Sequence, residues 1–333
     1  MIPPSRQPSV GRLWRLAEEL EELGLPKSGD DSFREMLLEE IDHVLRPAVH
    51  EGRIASSGTI VEPKADPGSW ASGTQLDIAR TPVVHQSLGA SRRFADGLSS
   101  WLVRRADGND EWLLFDRPAG SERDLVVLCT VLDATIVQRH PSGAVRVVGK
   151  FGVLRWVELA WHYEPPVSTW VGGVTAPPFV GERDVIEAML EFAVHDLGSF
   201  GIGSLLVYRP GPEPGPTVEE RLATPPPLQI RAASHLAPLR HALGQVDGAA
   251  VFDAGGFLRQ LGVRLVPSPT AEAAVEAFGG TRHTSARRYS FDDPTATVIA
   301  VSADGPVSVL RNGEVLGRSP DGPDSPDSPE VTD

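Results

Sequence analysis

Two short apolar runs, Gly203-Ser204-Leu205-Leu206-Val207-Tyr208 and Thr297-Val298-Ile299-Ala300-Val301-Ser302, enclose a glycine-punctuated stretch from Asp247 to Val266 that reads as a hairpin of two buried strands. Around them lie segments of helical period. Asp184 can cap a helix through Val185, Ile186, Met189, Leu190 and Ala193, and His235 to Leu243 forms another. Apolar strands here alternate with helical segments. Gly305 to Gly313 completes the pattern as a closing hairpin.

The N-terminal half carries its own elements. Leu13, Leu16, Ala17, Leu20 and Leu23 recur at helical spacing, and a second helix runs from about Ser32 through Leu37, Leu38, Ile41 and Leu45 to a stop at Pro47. Their glutamates, Glu39 and Glu40 included, read as a solvated helix face. Short β-favouring runs follow: Ser100 to Arg104, Glu111 to Asp116, Leu125 to Thr130, Ala134 to Arg139 and Val145 to Lys150. The segment Val171 to Val180, with Gly172-Gly173 and Pro177-Pro178, reads as a linker. A chain of 333 residues has room for two cores. The expected fold is therefore α/β (α+β) in two domains: an N-terminal α+β domain over 1–175, a mixed-sheet domain over 180–317, and an acidic tail over 318–333 expected to be disordered.

A net charge of −14 argues against a nucleic-acid-coating or anionic-membrane surface, so any basic site must be local. The one cysteine, Cys129, cannot form an internal disulfide and reads as a buried strand thiol. Met1 to Val10 has no apolar core of signal-peptide length and no later run approaches a membrane span, so a soluble cytoplasmic protein is expected. The scattered histidines share no metal-ligand spacing, which leaves zinc without a site. Arg209 to Pro227 reads as a proline-rich loop with a short helical piece at Val218 to Leu222.

The chemistry concentrates in two places. Asp247-Gly248-Ala249 offers a carboxylate followed by two small residues, and Gly280-Thr281-Arg282-His283-Thr284-Ser285-Ala286 is a glycine-led basic turn. A metal-holding carboxylate and a cluster of phosphate donors are complementary halves of a phosphoryl-transfer centre. Taken alone, either is also what a simple turn with a chance Arg-His pair would look like.

Together with the Gly203 strand, the Asp247 hairpin, the late strand ending in Ser302 and the closing hairpin, these motifs resemble the diadenylate cyclase (DAC) family over roughly residues 180 to 317. That resemblance implies two ATP condensed to cyclic di-AMP and two pyrophosphates by two facing subunits, a homodimer or higher homo-oligomer. It implies that Asp247 holds Mg²⁺ or Mn²⁺, that Asp247, Arg282 and His283 are catalytic, and that Gly248, Ala249, Leu265, Gly280, Thr281, Thr284 and Ser285 bind the nucleotide. The N-terminal domain becomes a sensor or regulatory module, since a domain joined to a second-messenger synthase commonly adjusts it. Two departures stand out: Thr284 replaces a family arginine, with Arg287 and Arg288 one turn on as substitutes, and Ser302-Ala303-Asp304 replaces an acidic segment. They leave open a DAC-fold sensor that binds ATP or cyclic di-AMP with little or no turnover. An interaction protein without nucleotide chemistry is the third possibility. Finally, residues 130–155, from Leu132-Asp133-Ala134 onward, resemble the Asp247 hairpin as a degenerate repeat, although any β-hairpin shares that layout.

Overall fold

Strands whose successive residues are all buried need cover on both faces, and both halves of this chain meet that demand in the same way. The computed structural model describes residues 10–23, 25, 31–84, 86–211, 218–219, 224–278, 280–303 and 306–319. It divides into two units, Met1–Pro166 and Val167–Asp333.

In the first unit α1 (Val10–Glu22) and α2 (Asp31–Leu45) precede a ribbon of β1 (Val49–His50) and β2 (Arg53–Ile54). Then come β3 (Ser57–Val61), α3 (Trp70–Thr74), β4 (Ile78–Pro82), α4 (Leu88–Ser91), β5 (Ser100–Arg104), β6 (Glu111–Phe115), α5 (Glu122–Leu132), β7 (Thr135–Arg139), β8 (Val145–Gly149), β9 (Gly152–Val157) and β10 (Ala160–Glu164). The second unit holds α6 (Ser168–Val174), α7 (Arg183–Phe192), β11 (Ser204–Tyr208), β12 (Val218–Glu219), α8 (Ala233–Leu243), β13 (Ala249–Phe252) and β14 (Leu258–Leu265). It ends with α9 (Pro269–Ala274), α10 (Thr281–Asp292), β15 (Thr297–Val301), β16 (Val307–Arg311) and β17 (Glu314–Arg318).

The two sheets repeat one topology. The strand order is β4-β6-β5-β3-β7-β8-β9-β10 in the first unit and β12-β14-β13-β11-β15-β16-β17 in the second. In each, the first central strand is parallel to one neighbour (β5 or β13) and antiparallel to the strand that follows a helix (β7 or β15). Helix α5 therefore corresponds to α10. The registers agree as well: Gly58, Gln138, Arg146 and Arg155 lie in one cross-strand row, and Leu205, Ala300, Ser308 and Arg318 lie in the matching row. This corrects the repeat expected at residues 130–155. Strands β7 to β9 match β15 to β17, and the counterpart of the Asp247 hairpin is β5–β6. Short apolar runs cannot tell one hairpin from another.

Each sheet is packed on both faces. In the first unit α1 and α2 cover Val61, Val137, Val145 and Val147, while α5 covers the opposite face through Leu125, Leu128, Cys129 and Leu132 against Ile60, Val103, Ile136 and Val148. In the second, α6, α7 and α8 cover Leu206, Ala250, Ile299 and Val301, and α10 covers Leu205, Val207, Ala249, Val298 and Ala300.

Several sequence expectations change. Leu125 to Thr130 is helical, because its apolar residues also fall at helical spacing and Ser121 and Asp124 form a capping box ahead of it. Cys129 is thus a buried helix thiol, and burial pushes its pKa up to about 11. The expected linker at 171–180 begins with α6, whose Val171 and Val174 join the second core, so the division falls at Pro166 and not at 175. Arg318 ends β17 and Ser319 exchanges hydrogen bonds with Val307, so the first two residues of the expected tail belong to the sheet. The tail from 320 onward lies outside the described residues. Val218–Glu219 pairs as a strand with Leu265 and Arg264, while the rest of its expected helical piece also lies outside them.

Glu40 overturns the reading of a solvated glutamate face. Its carboxylate is fully buried and accepts hydrogen bonds from Arg92 (2.6 and 3.1 Å), Arg104 (2.7 Å) and the Thr59 hydroxyl (2.9 Å). Arg104 also reaches Glu39 at 3.0 Å. Burial raises the Glu40 pKa, but the two guanidiniums outweigh it and hold the group below the ordinary carboxylate range. Glu40→Gln is expected to destabilise the protein by about 3–5 kcal/mol in urea unfolding, because it removes the anion that Arg92 and Arg104 share and leaves Arg104 with Glu39 alone.

Beneath the start of α5, Glu122 is gripped by Arg155 at 2.5 and 2.7 Å, and Arg155 lies 3.6 Å from Glu164. Burial, aided by the Glu122 charge and opposed by Arg155, pushes Glu164 up to about 7. The folded state therefore binds the proton more tightly than the unfolded chain, and stability should fall as pH rises from about 4.5 to about 7. Glu164→Gln should lack that decline, roughly 3 kcal/mol across the window, in melts recorded as a function of pH.

Candidate functional site

Strand directions collect the site at one edge of the second sheet. Parallel β11 and β13 both begin there, β15 and β17 end there, and β16 begins there, as the pairs Leu205 with Ala249, Ser204 with Val301, Val301 with Val307 and Ser308 with Arg318 require. The N-terminus of α10 lies over this edge. Its cap is Gly280, exposed and with no side chain to bond the helix N–H groups, so the first turn keeps its donors and its positive dipole end for other acceptors.

Arg282 joins the two sequence motifs. Its Nη2 lies 4.0 Å from Asp247 Oδ1, and both side chains are exposed, Asp247 at 88%. Such a pair adds little stability and is easily opened by a ligand. The guanidinium lies across the start of β11, where a Cβ added to Gly203 would sit 2.5 Å from Nη1. Gly203 is thus a site residue that the sequence reading took only as a strand landmark; its place just before an apolar strand was the available signal.

His283 is buried on the first turn, its ring 6.1 Å from Phe278 in edge contact, with Nε2 lacking any hydrogen-bond partner. Burial, then the charges of Arg318 and Arg282, lower its pKa. At neutral pH the imidazole is uncharged. The Arg318 guanidinium lies 5.7 Å from the centre of the Phe278 ring, and that of Arg287 lies 5.9 Å from the same ring.

The remaining expected residues have structural duties. Thr284 Oγ1 accepts from Phe278 N at 3.1 Å and donates to Phe278 O at 3.2 Å, so its hydroxyl ties down the preceding loop. Arg287 and Arg288, expected as substitutes for the missing arginine, are bound to the carbonyls of Gly313 (2.7 Å) and Val275 (3.2 Å). Ala249 and Leu265 lie in the core beneath α10 and not on an open surface. Thr281 is exposed and Ser285 half-buried on the first turns of α10. Asp304 lies outside the described residues.

Gly248 is required by the hairpin itself, not by ligand space. Its φ is +116°, and a Cβ would lie 2.7 Å from Gly262 C and 2.9 Å from Val263 O. Gly248→Ala should lower stability by about 2 kcal/mol or more in chemical unfolding, through positive φ and backbone contact together.

Among the described residues no group of three or more His, Cys, Asp and Glu could cage a metal ion. Asp247 alone fits a different arrangement. Mg²⁺ or Mn²⁺ commonly takes one or two protein carboxylates and completes its shell with phosphate oxygens and water, and an exposed carboxylate beside an uncapped helix start suits that. Nor, among the described residues, is any helix long and apolar enough to cross a membrane.

The corresponding place in the first unit is closed. Ser121 and Asp124 cap α5, and the buried Gln138 donates to Gly97 O (2.7 Å) and Gly120 O (2.9 Å), bridging the crevice. A cleft of about 610 Å³ lies elsewhere in that unit, between Arg80, Pro82, Val84, Arg105 and the Asp107–Glu111 turn.

Comparison with known proteins gives the following. Residues 14–164 match the family described as "Probable sensor domain DACNK". No curated protein matches the chain. Among solved structures, a hypothetical membrane spanning protein from Bacillus cereus is similar at 18% identity and a TM-score of 0.33, over 45% of this chain and 68% of that one. A double mutant of DacA from Staphylococcus aureus is similar at 20% identity and a TM-score of 0.25, over 41% of this chain and 87% of that one. At these scores neither superposition assigns a role to any residue here.

Proposed function

We propose that the second unit is a diadenylate cyclase, a nucleotidyltransferase that condenses two ATP into cyclic di-AMP with release of two pyrophosphates, and that the first unit regulates it. The observation that carries this reading is the approach of Arg282 to Asp247 at 4.0 Å beneath an uncapped helix start, which brings both motifs to one sheet edge. In each half-reaction a ribose 3′-oxygen forms a bond to the α-phosphorus of the other nucleotide, and the bond from that phosphorus to the β-bridging oxygen breaks, expelling pyrophosphate. Each protomer presents one nucleotide, so the working form is a homodimer or larger.

Arg282 and the first N–H groups of α10 would hold the triphosphate. Asp247 would hold Mg²⁺ or Mn²⁺ and orient the attacking hydroxyl, the metal supplying charge neutralisation at the phosphate oxygens. His283, neutral and with Nε2 unpartnered, would offer a hydrogen bond to phosphate without a fixed charge. The sensor role of the first unit is supported by its family match and by its closed crevice, which leaves it no equivalent nucleotide site. ATP supply makes the cytoplasm its place of work.

A second reading, a DAC-fold sensor that binds ATP or cyclic di-AMP without turnover, is favoured by one observation: Thr284, Arg287 and Arg288 are all committed to backbone groups, so none replaces the missing guanidinium. One experiment separates the two. Incubated with ATP and Mn²⁺ or Mg²⁺, the protein should form cyclic di-AMP detectable by mass, and Asp247→Asn should reduce the rate by about a hundredfold or more. Nucleotide binding without product would establish the second reading, and neither binding nor product would reject both.

A further inference from the structure

The cleft of about 610 Å³ in the first unit lies between the end of β4 and the turn that joins β5 to β6. Its size suits a small molecule. Pro67, Pro82 and Val84 give it an apolar wall, and its polar wall carries charges of both signs.

Arg80 is held in place before any ligand arrives. Its Nε and Nη2 donate to the two oxygens of Glu111 at 2.8 and 3.0 Å, and its guanidinium lies 5.2 Å from the centre of the buried Trp70 ring. Arg105 donates from Nη2 to the same carboxylate at 2.8 Å and from Nη1 to Pro63 O at 3.3 Å. Burial raises the pKa of Glu111, but the two guanidiniums outweigh it and hold the group below the ordinary carboxylate range. One anion between two cations leaves one positive charge. Arg80, its side chain 43% exposed, keeps Nη1 uncommitted among the described residues. A guanidinium already fixed in this way loses little further freedom on taking a second carboxylate.

The turn supplies the opposite sign. The two oxygens of Asp107 accept from Asn109 N and Nδ2 at 2.9 and 2.8 Å, and Asp110 Oδ1 accepts from Arg105 N at 3.0 Å, so both carboxylates are positioned by the turn while their charges remain. Three carboxylates and two guanidiniums therefore line the cleft. That balance repels a phosphate or other multivalent anion, whereas a ligand with one carboxylate and one ammonium meets each sign with its opposite.

We propose that this cleft is the effector site of the first unit and takes a zwitterion of the amino-acid type with an apolar side chain. The ligand carboxylate lies on Arg80, the ammonium faces Asp107 and Asp110, and the side chain rests on Pro67, Pro82 and Val84. The effector role rests on the reading of the first unit as a regulator of the second.

Calorimetric titration of the full chain with valine, leucine, isoleucine, methionine, proline and phenylalanine tests the site. At least one should bind saturably, and its amide, which lacks the carboxylate, and its deamino acid, which lacks the ammonium, should each bind about tenfold or more weakly. Arg80→Lys should weaken the amino acid by roughly tenfold and leave the amide within about twofold. Asp107→Asn combined with Asp110→Asn, which keeps acceptors for the turn, should weaken the amino acid and leave the deamino acid within about twofold. Thermal melts of each variant confirm that the fold is kept. Inorganic phosphate should not compete. Binding of none of these amino acids, equal losses for amino acid and amide in Arg80→Lys, or displacement by phosphate would overturn the site. Cyclic di-AMP formation with and without the bound amino acid then separates the two readings. A changed rate supports the effector role, and an unchanged rate overturns it. Product without amino-acid binding rejects the site alone, and amino-acid binding without product keeps the site and rejects the cyclase.

Discussion

The arrangement of the candidate site depends on β11, which pairs in parallel with β13 on one side and in antiparallel fashion with β15 on the other. Parallel pairing brings the starts of two strands to one edge, and two further antiparallel steps bring the ends of β15 and β17 to the same edge. Residues far apart in the chain, Asp247, Gly203, Ser302 and Arg318, are placed together by backbone hydrogen bonding alone. Helix α10 then has only one way to lie. Its apolar residues Ala286 and Tyr289 pack on Leu205, Val298 and Ala300, which sets its first turn over that edge.

The same topology serves two ends in one chain. In the first unit the crevice under the equivalent helix is filled by Gln138, Glu122, Arg146 and Arg155, and the helix is capped by its own Ser121 and Asp124. Buried ion pairs of this kind contribute modestly in net terms, yet removing one partner leaves an uncompensated charge, so the closed state is strongly specified. In the second unit small residues and an uncapped helix leave polar atoms without partners.

Charge at the site is set by burial as much as by composition. His283 is kept neutral by desolvation and by the neighbouring Arg318 and Arg282, so the positive field of the turn comes from guanidiniums and the helix end. Thr284, Arg287 and Arg288 shape the turn and its loop by holding backbone groups.

How much of this was legible in the residues follows from the range over which each signal acts. Apolar period and turn residues are local, so β11, β15, the Asp247 hairpin, α1, α2 and α8 were all readable, as was the spacing of the two motifs. Leu125 to Thr130 was misread because its apolar residues suit both a strand and one face of a helix, and only the capping box and the packing of Leu125, Leu128 and Leu132 against β7 and β8 decide between them. Glu40 looked like part of a solvated face because its partners Arg92 and Arg104 lie far along the chain. Gly248 was recognised as necessary, but the atoms that demand it belong to Gly262 and Val263 across the hairpin. The sequence by itself determined the elements, the two-core organisation and the chemistry available in the motifs. Only the tertiary structure decided that the two units share a topology, that Gln138 bridges beneath α5 while α10 starts uncapped, and that Arg282 reaches Asp247, because strand register converts distant residues into neighbours and no local pattern encodes register between strands.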